Sequence, residues 1–110
     1  KQDVYVNVVG GIGIIEPGYD LALALAIISS IRDIPINPNT VIIGEIGLLG
    51  EIRYVNNIER RLKEAQKLGF QKAIIPKVNE RTYEKIKETG ILIKQVTKLT
   101  DAIIQGLKQN

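Results

Sequence analysis

Stretches of helical and strand-like hydrophobic spacing alternate along the chain. Residues 4–9 are mostly β-branched or aromatic and predict a strand. The glycine-rich cluster at 10–13 interrupts this pattern and indicates a turn or bulge. Residues 19–32 predict a helix that is apolar nearly all round, which is typical of a buried helix, because leucine, isoleucine and alanine fill most positions. A loop with two prolines follows at 33–39.

The middle of the chain predicts a strand, a hairpin and a second helix. Residues 41–43 form a short apolar run that is typical of a buried strand, and residues 44–52 have the glycine spacing of a hairpin. The second helix is predicted over about 57–68. Its apolar positions recur at i, i+4 and i+7 and are Ile58, Leu62 and Ala65. Gly69 then stands where a left-handed C-terminal cap is expected.

A third helix is predicted after a short strand at 73–76. Asn79 is placed to cap its N-terminus, because a side-chain amide oxygen can accept a backbone N–H of the first turn. Val78 and Tyr83 have the spacing of a hydrophobic staple around that cap. Gly90 is predicted to end the helix.

The remaining residues predict a strand at 91–93 and a last helix that runs to about residue 107, with Thr97 or Thr100 as its cap. Strands and helices therefore alternate along the whole chain. We expect a single domain over residues 1–110, of the α/β class or a two-layer α+β arrangement.

The composition excludes several kinds of chemistry. The chain has no cysteine and no histidine, so it lacks a disulfide framework, a thiolate zinc site and the usual general base, and no metal site is predicted. It has no methionine either, so we expect a piece of a longer protein. The apolar run at 21–28 is too short to span a membrane. A net charge of +3 permits contact with nucleic acid without demanding it.

Few residues could serve catalysis. The serines, Ser29 and Ser30, lie inside the apolar helix, where bonds to the backbone one turn earlier explain them. Glu16 and Asp20 are candidates for an acid–base or metal pair, or alternatively for an ion pair with Arg61. The glycine-rich cluster after the first strand lacks the Gly-Lys-Ser/Thr ending of a phosphate-binding loop, so we interpret it as a turn.

Basic residues concentrate around the second helix. They are Arg53, Arg60, Lys63 and Lys67, followed by Lys72 and Lys77. The three on the helix recur at i, i+3 and i+7 and would form one stripe that can contact phosphates. The alternative is a solvated helix face with the i,i+4 pairs Glu59–Lys63 and Arg60–Glu64. Tyrosines are too scattered to predict a platform for stacking bases.

Two segments carry a resemblance to a known family. They read Glu-Pro-Gly-Tyr-Asp at 16–20 and Asn-Asn-Ile-Glu-Arg-Arg at 56–61. Over residues 4–107 the chain resembles the proteolytic domain of Lon, and most closely the Lon-like C-terminal domain of the bacterial RadA (Sms) family. Lon-type proteases carry a serine in a Gly-Pro-Ser-Ala-Gly turn and a lysine 43 residues later. Here Gly18 and Arg61 stand at those positions, with the same spacing.

The resemblance implies a Lon proteolytic-domain-like fold, of the ribosomal protein S5 domain 2-like type, without protease activity. Glycine offers no nucleophile, and arginine stays protonated and cannot act as a general base. In the RadA family this domain is understood as a hexamer scaffold that also helps to bind DNA. The parent protein would be a cytoplasmic, homohexameric, DNA-dependent ATPase for recombination, branch migration and DNA repair. Its ATP, magnesium and zinc sites would lie outside this chain, so no cofactor is expected here.

We therefore expect a pseudo-protease domain that contacts single- and double-stranded DNA and further copies of itself, with recombination proteins as further candidate partners and no membrane. Its predicted DNA-binding residues are Arg53, Arg60, Lys63 and Lys67. Two alternatives stay open. One is a purely structural ring-assembly module whose basic residues contact only neighbouring subunits, and the other is a peptidase with an unconventional nucleophile.

Overall fold

The structure, a computed structural model, describes residues 5–8, 12–15 and 18–108. Its strands are β1 (Tyr5–Val8), β2 (Ile12–Ile15), β3 (Thr40–Ile42), β4 (Glu45–Ile46), β5 (Ile52–Arg53), β6 (Lys72–Pro76) and β7 (Leu92–Val96). Its helices are α1 (Asp20–Arg32), α2 (Ile58–Lys67), α3 (Glu80–Ile86) and α4 (Leu99–Gly106). The predicted order of elements is confirmed. Of the glycine-rich cluster, Gly10 and Gly11 lie outside the described residues, and Ile12 and Gly13 belong to β2 instead of a turn.

Five strands form the main sheet in the order β1-β2-β3-β6-β7. β1 and β2 pair antiparallel, whereas the pairs β2–β3, β3–β6 and β6–β7 are all parallel. The predicted hairpin is confirmed as a separate pair, β4 and β5, in which Ile46 lies opposite Ile52. A mainly parallel sheet with connecting helices confirms the α/β class.

The sheet is covered on both faces, so the predicted two-layer arrangement is wrong. Along β3 and just after it, Val41 and Ile43 point to one face and Ile42 to the other, and all three are fully buried. Helices α1 and α4 pack on the Ile42 face, and helices α2 and α3 pack on the opposite face. The central strands therefore read as continuous apolar runs, because both of their faces lie in a core.

The helical crossovers do not all have the same hand. The strand order advances in one direction from β2 to β3, β6 and β7, but α1 crosses on one face and α2 and α3 cross on the other. The β2–α1–β3 crossover therefore has the opposite hand to the two that follow. Since nearly all such connections in proteins are right-handed, this arrangement is uncommon.

Helix α1 is buried along one side only, so the prediction of an all-round buried helix is wrong. Leu21 and Leu25 are fully buried against the sheet, whereas Leu23, Ile27 and Ile31 are 44%, 52% and 77% exposed. The latter three, which we name the apolar ridge, recur every fourth residue and lie on one side of the helix. None of the helices in the described residues is long and apolar enough to cross a bilayer.

The predicted caps are confirmed for α3 and wrong for α4. The Asn79 side chain accepts the backbone N–H of Thr82 at 2.8 Å, and the buried Val78 and partly buried Tyr83 belong to the same hydrophobic cluster. Neither Thr97 nor Thr100 caps α4; the N-cap is Lys98. Lys98 has extended backbone and forms a β-bridge with Glu51, so the strand-like pairing of this segment continues up to the helix.

Candidate functional site

The turn before α1 holds Gly18 in a conformation that favours glycine. The residue is buried and has a φ of +89°, which lies in the left-handed region. Its carbonyl accepts the N–H of Gly44 at 2.8 Å, and the carbonyl of Gly44 accepts the N–H of Leu21 at 3.1 Å. These bonds tie the turn to the end of β3 and fix where α1 begins.

Val55 occupies the space that a side chain at position 18 would need. A Cβ placed on Gly18 would lie 2.7 Å from Cγ2 and 2.9 Å from Cγ1 of Val55. Carbon atoms in contact normally stay about 3.5–4.0 Å apart. Val55 is only 3% exposed and belongs to the core under α2. Position 18, where the resemblance to Lon-type proteases predicts the degenerate nucleophile site, is therefore closed by packing as well as lacking a hydroxyl.

Arg61, which the resemblance places at the second degenerate position, is buried and fixes the start of α2. The residue is only 7% exposed, and its Nε donates a hydrogen bond to the carbonyl of Asn56 at 2.8 Å. The carboxylate of Asp20 accepts the backbone N–H of Ile46 at 3.5 Å. Glu16 lies outside the described residues, so the ion pair of these carboxylates with Arg61 stays a prediction.

The two serines lie near the C-terminal end of α1. Ser29 Oγ donates to the carbonyl of Ile34 at 2.5 Å, which lies beyond the C-terminal end of α1. The predicted bond to the preceding turn is therefore replaced by one that closes the helix end. Ser30 is exposed on α1, and the chain has no histidine that could activate either hydroxyl.

Helix α2 presents three of the four predicted DNA-binding residues to solvent. Arg60, Lys63 and Lys67 are exposed, opposite the buried positions that the sequence pattern identified. The predicted Glu59–Lys63 pair forms, with 3.3 Å between Nζ and Oε2. The predicted Arg60–Glu64 pair does not, and within the described residues Arg60 and Lys67 make no ion pair. Two cations on this face are therefore available to an anionic partner.

The fourth predicted residue, Arg53, has an intramolecular partner. Its guanidinium donates to the carboxylate of Glu51, two residues earlier on the same arm of the hairpin, at 3.2 Å. Lys72, which the sequence grouped with these cations, lies on the other face of the sheet, where its Nζ donates to the carbonyl of Gln105 on α4 at 2.7 Å. Partial burial and the nearby charge of Lys94 lower the pKa of Lys72. The structure therefore separates Lys72 from the α2 cations.

A surface pocket of about 480 Å³ lies beside the first turns of α2. It is lined by Tyr54, Asn57, Ile58, Glu59, Arg60, Lys63 and Thr82. Tyr54 is 53% exposed, so an aromatic ring stands next to two of the predicted DNA-binding cations. Sequence reasoning missed this pocket, because Thr82 is brought in by the packing of α3 against α2. The feature of the sequence that could have indicated the pocket is that Tyr54 and Arg60 are close along the chain, on either side of the start of α2.

Comparison with known families defines the class of this domain. A family model described as "Subunit ChlI of Mg-chelatase" matches residues 3–79. With its α/β fold and this match, the chain belongs to the ChlI family of that model.

The curated relatives are more specific. The chain is 46% identical over 110 residues to DNA repair protein RadA of Synechocystis sp., 47% over 107 residues to that of Bacillus subtilis and 48% over 102 residues to that of Escherichia coli. These matches cover 100%, 97% and 93% of the chain but only 21%, 23% and 22% of the relatives. The predicted RadA resemblance is thereby confirmed, and the chain corresponds to about a fifth of the length of DNA repair protein RadA.

Proposed function

We propose that this domain is a catalytically inactive, Lon-like module of a RadA-type DNA repair protein, in which it contacts DNA and helps to assemble a ring. The parent protein would be a cytoplasmic DNA-dependent ATPase of recombination and repair, with its ATP, magnesium and zinc sites in other segments. The relatives named DNA repair protein RadA support the repair role. The surfaces of the described residues support the two tasks of this domain.

The packing at the two degenerate positions, Gly18 and Arg61, supports an absence of peptidase activity. Val55 fills the volume beside Gly18, and Arg61 is used to hold the carbonyl of Asn56. A buried arginine that stays charged cannot accept a proton from a nucleophile. This geometry opposes the peptidase alternative.

The observation that carries the DNA role is the exposed cationic side of α2. Arg60, Lys63 and Lys67 point away from the core within one helix, and their charges can replace counterions on a phosphate backbone. Contacts of this kind are independent of base sequence and weaken as salt rises. The same side of α2 carries Glu59 and Glu64, so we expect moderate affinity.

The test is DNA binding by fluorescence anisotropy at several salt concentrations. We expect Arg60→Glu/Lys63→Glu to abolish most binding and to reduce the slope of log K against log salt by roughly two. The matched control is Lys98→Glu/Lys108→Glu, which makes the same change in net charge at exposed positions at the two ends of α4, on the other face of the sheet. Equal loss in both variants, or no loss in the first, would contradict the DNA role of the α2 face.

Self-assembly is supported by apolar side chains that are exposed among the residues that the structure describes. The apolar ridge of α1 is one such surface. The tip of the β4–β5 hairpin is another, because Leu48 and Leu49 are 100% and 94% exposed. Exposed apolar patches on a protein of this size mark interaction surfaces. They also favour the alternative in which the domain is only a structural ring module.

A further inference from the structure

Tyr54 lies in the connection between β5 and α2. The residue before it, Arg53, is paired with Glu45 in the hairpin, and the two residues after it are also held in place. The next residue, Val55, is buried against Gly18. The carbonyl of Asn56 accepts a hydrogen bond from the buried Arg61. Tyr54 therefore projects from a segment with fixed ends, and little conformational freedom would be lost if a ligand packed against its ring.

The pocket beside Tyr54 combines three kinds of chemistry within one small volume. The ring of Tyr54 and the buried side chain of Ile58 supply apolar surface. Arg60 and Lys63 supply positive charge, and the Asn57 amide supplies hydrogen-bonding groups. The Glu59 carboxylate also lines the pocket, 3.3 Å from the Lys63 ammonium, and offsets part of this charge. A volume of about 480 Å³ is within the range of sites for small organic ligands.

A nucleotide unit matches this combination better than a bare phosphate backbone does. A base can stack on a tyrosine ring while the phosphates that flank it meet arginine and lysine. In a duplex, the faces of the bases are already stacked on their neighbours, so only an unpaired base can reach the ring of Tyr54. Arg60 and Lys63 can contact phosphates of either form of DNA.

We propose that this pocket binds a single unpaired nucleotide, with its base on the ring of Tyr54 and its phosphates on Arg60 and Lys63. The proposal rests on the DNA contact proposed above and adds a preference for single-stranded over double-stranded DNA at this face. Tyr54 is then the specificity-determining residue, and the two cations supply the part of the affinity that both forms of DNA share.

The experiment compares Tyr54→Ala and Tyr54→Phe with the unaltered chain. Affinity is measured for an oligothymidine and for a duplex, at one fixed salt concentration. A second readout is the fluorescence of a 2-aminopurine placed within the oligothymidine, which is quenched when the base stacks. Tyr19→Ala is the matched control, because Tyr19 is also partly exposed but lies outside the pocket.

We expect Tyr54→Ala to weaken single-strand binding roughly fivefold to a hundredfold and to change duplex binding less than about twofold. Tyr54→Phe should retain single-strand affinity and the fluorescence change, since the ring is preserved, and Tyr19→Ala should match the unaltered chain. Equal effects of Tyr54→Ala on both forms of DNA, or no effect on either, would overturn the proposal.

Failure of this inference can be told from failure of the DNA role itself. If Arg60→Glu/Lys63→Glu abolishes binding while Tyr54→Ala changes nothing, the phosphate contact stands and base stacking is rejected. If the unaltered chain binds neither form of DNA at low salt, both the DNA role and this pocket are rejected.

Discussion

At position 18, the space that a side chain would take is filled by Val55. We expect Gly18→Ser to yield no peptidase and to lower the free energy of unfolding by on the order of 2 kcal/mol or more. Two causes add: a residue with a side chain is strained at a φ of +89°, and its Cβ would collide with both methyl groups of Val55. Chemical denaturation measures the stability, and hydrolysis of an unfolded fluorescent protein measures the activity.

A double-mutant cycle isolates the contact with Val55. Val55→Ala alone should destabilise the domain, because it removes buried methyl groups. Added to Gly18→Ser, it should cost less than the sum of the two single changes, since the collision is relieved. Strict additivity would show that backbone strain alone opposes a side chain at position 18. Recovery of peptidase activity in the double variant would contradict the proposed loss of function.

Glu59 is expected to limit the affinity for DNA. Its carboxylate is 3.3 Å from the Lys63 ammonium and lies in the pocket beside Arg60. Glu59→Gln frees Lys63 and removes a charge that repels phosphate, so we expect roughly two- to fivefold tighter DNA binding at low salt. The loss of one exposed ion pair in the first turn should cost less than about 1 kcal/mol of stability. Anisotropy and denaturation measure the two effects.

The matched control for this prediction is Glu84→Gln, which removes the partner of Lys87 from an exposed pair on α3 at 3.2 Å. Its DNA affinity should stay that of the unaltered chain. If both variants gain affinity equally, the effect comes from net charge and not from the pocket.

At the residue scale, the sequence predicted contacts between residues that are only a few positions apart along the chain. The Asn79 cap and the Glu59–Lys63 pair follow from spacing alone and are confirmed. The contact of Val55 with Gly18 could not be predicted, because it depends on how the β5–α2 connection packs against the turn before α1. The place of Tyr54 beside Arg60 likewise required the tertiary structure.

The β4–β5 hairpin is an element whose tip depends on one carboxylate. The Glu51 carboxylate accepts the N–H of Leu49 at 3.0 Å and the Arg53 guanidinium at 3.2 Å. The backbone N–H of Glu51 is the largest cause that holds the pKa of its carboxyl below the ordinary value of 4.5, and these two bonds act in the same direction. Gly50, at a φ of +83°, completes the turn, so Leu48 and Leu49 are presented in a fixed conformation.

We therefore expect the hairpin tip to loosen in acid. A carboxyl group whose pKa is depressed in the folded state stabilises the fold above its unfolded-state pKa, and this contribution is lost as the pH falls through the folded-state pKa. The Leu49 amide proton resonance should accordingly titrate with a midpoint below 4.5. In Glu51→Gln the resonance should not titrate. A midpoint at or above 4.5, or a titration that persists in the variant, would contradict this account.

At the element scale, the sequence predicted the type and order of elements but not which faces are covered. The apolar run of β3 and the residue after it is equally consistent with one covered face or two, and the structure buries Val41 and Ile42 on opposite faces. Helix α1 has apolar residues all round, so its pattern could not show that Leu23, Ile27 and Ile31 lack a partner layer. The opposite hand of its crossover is likewise set by packing and not by spacing.

At the scale of the whole molecule, the apolar ridge and the exposed cations of α2 are distinct surfaces, so each can be removed separately. The apolar ridge belongs to α1, on one face of the sheet, and the exposed cations belong to α2, on the other. If several copies form a ring, their cations act together, and the apparent DNA affinity exceeds that of one copy. Loss of assembly should therefore weaken DNA binding, whereas loss of the cations should leave assembly unchanged.

We expect Ile27→Gln/Ile31→Gln to shift sedimentation from a ring-sized species to the monomer and to weaken DNA binding to the level of one copy, because glutamine keeps the helix but removes apolar area. Arg60→Glu/Lys63→Glu should lose DNA binding and keep the sedimentation of the unaltered chain. The purely structural alternative gives the reverse for the second variant: the ring dissolves while DNA affinity is unchanged. That result would assign the α2 cations to contacts between subunits, and a monomeric unaltered chain would reject self-assembly through α1.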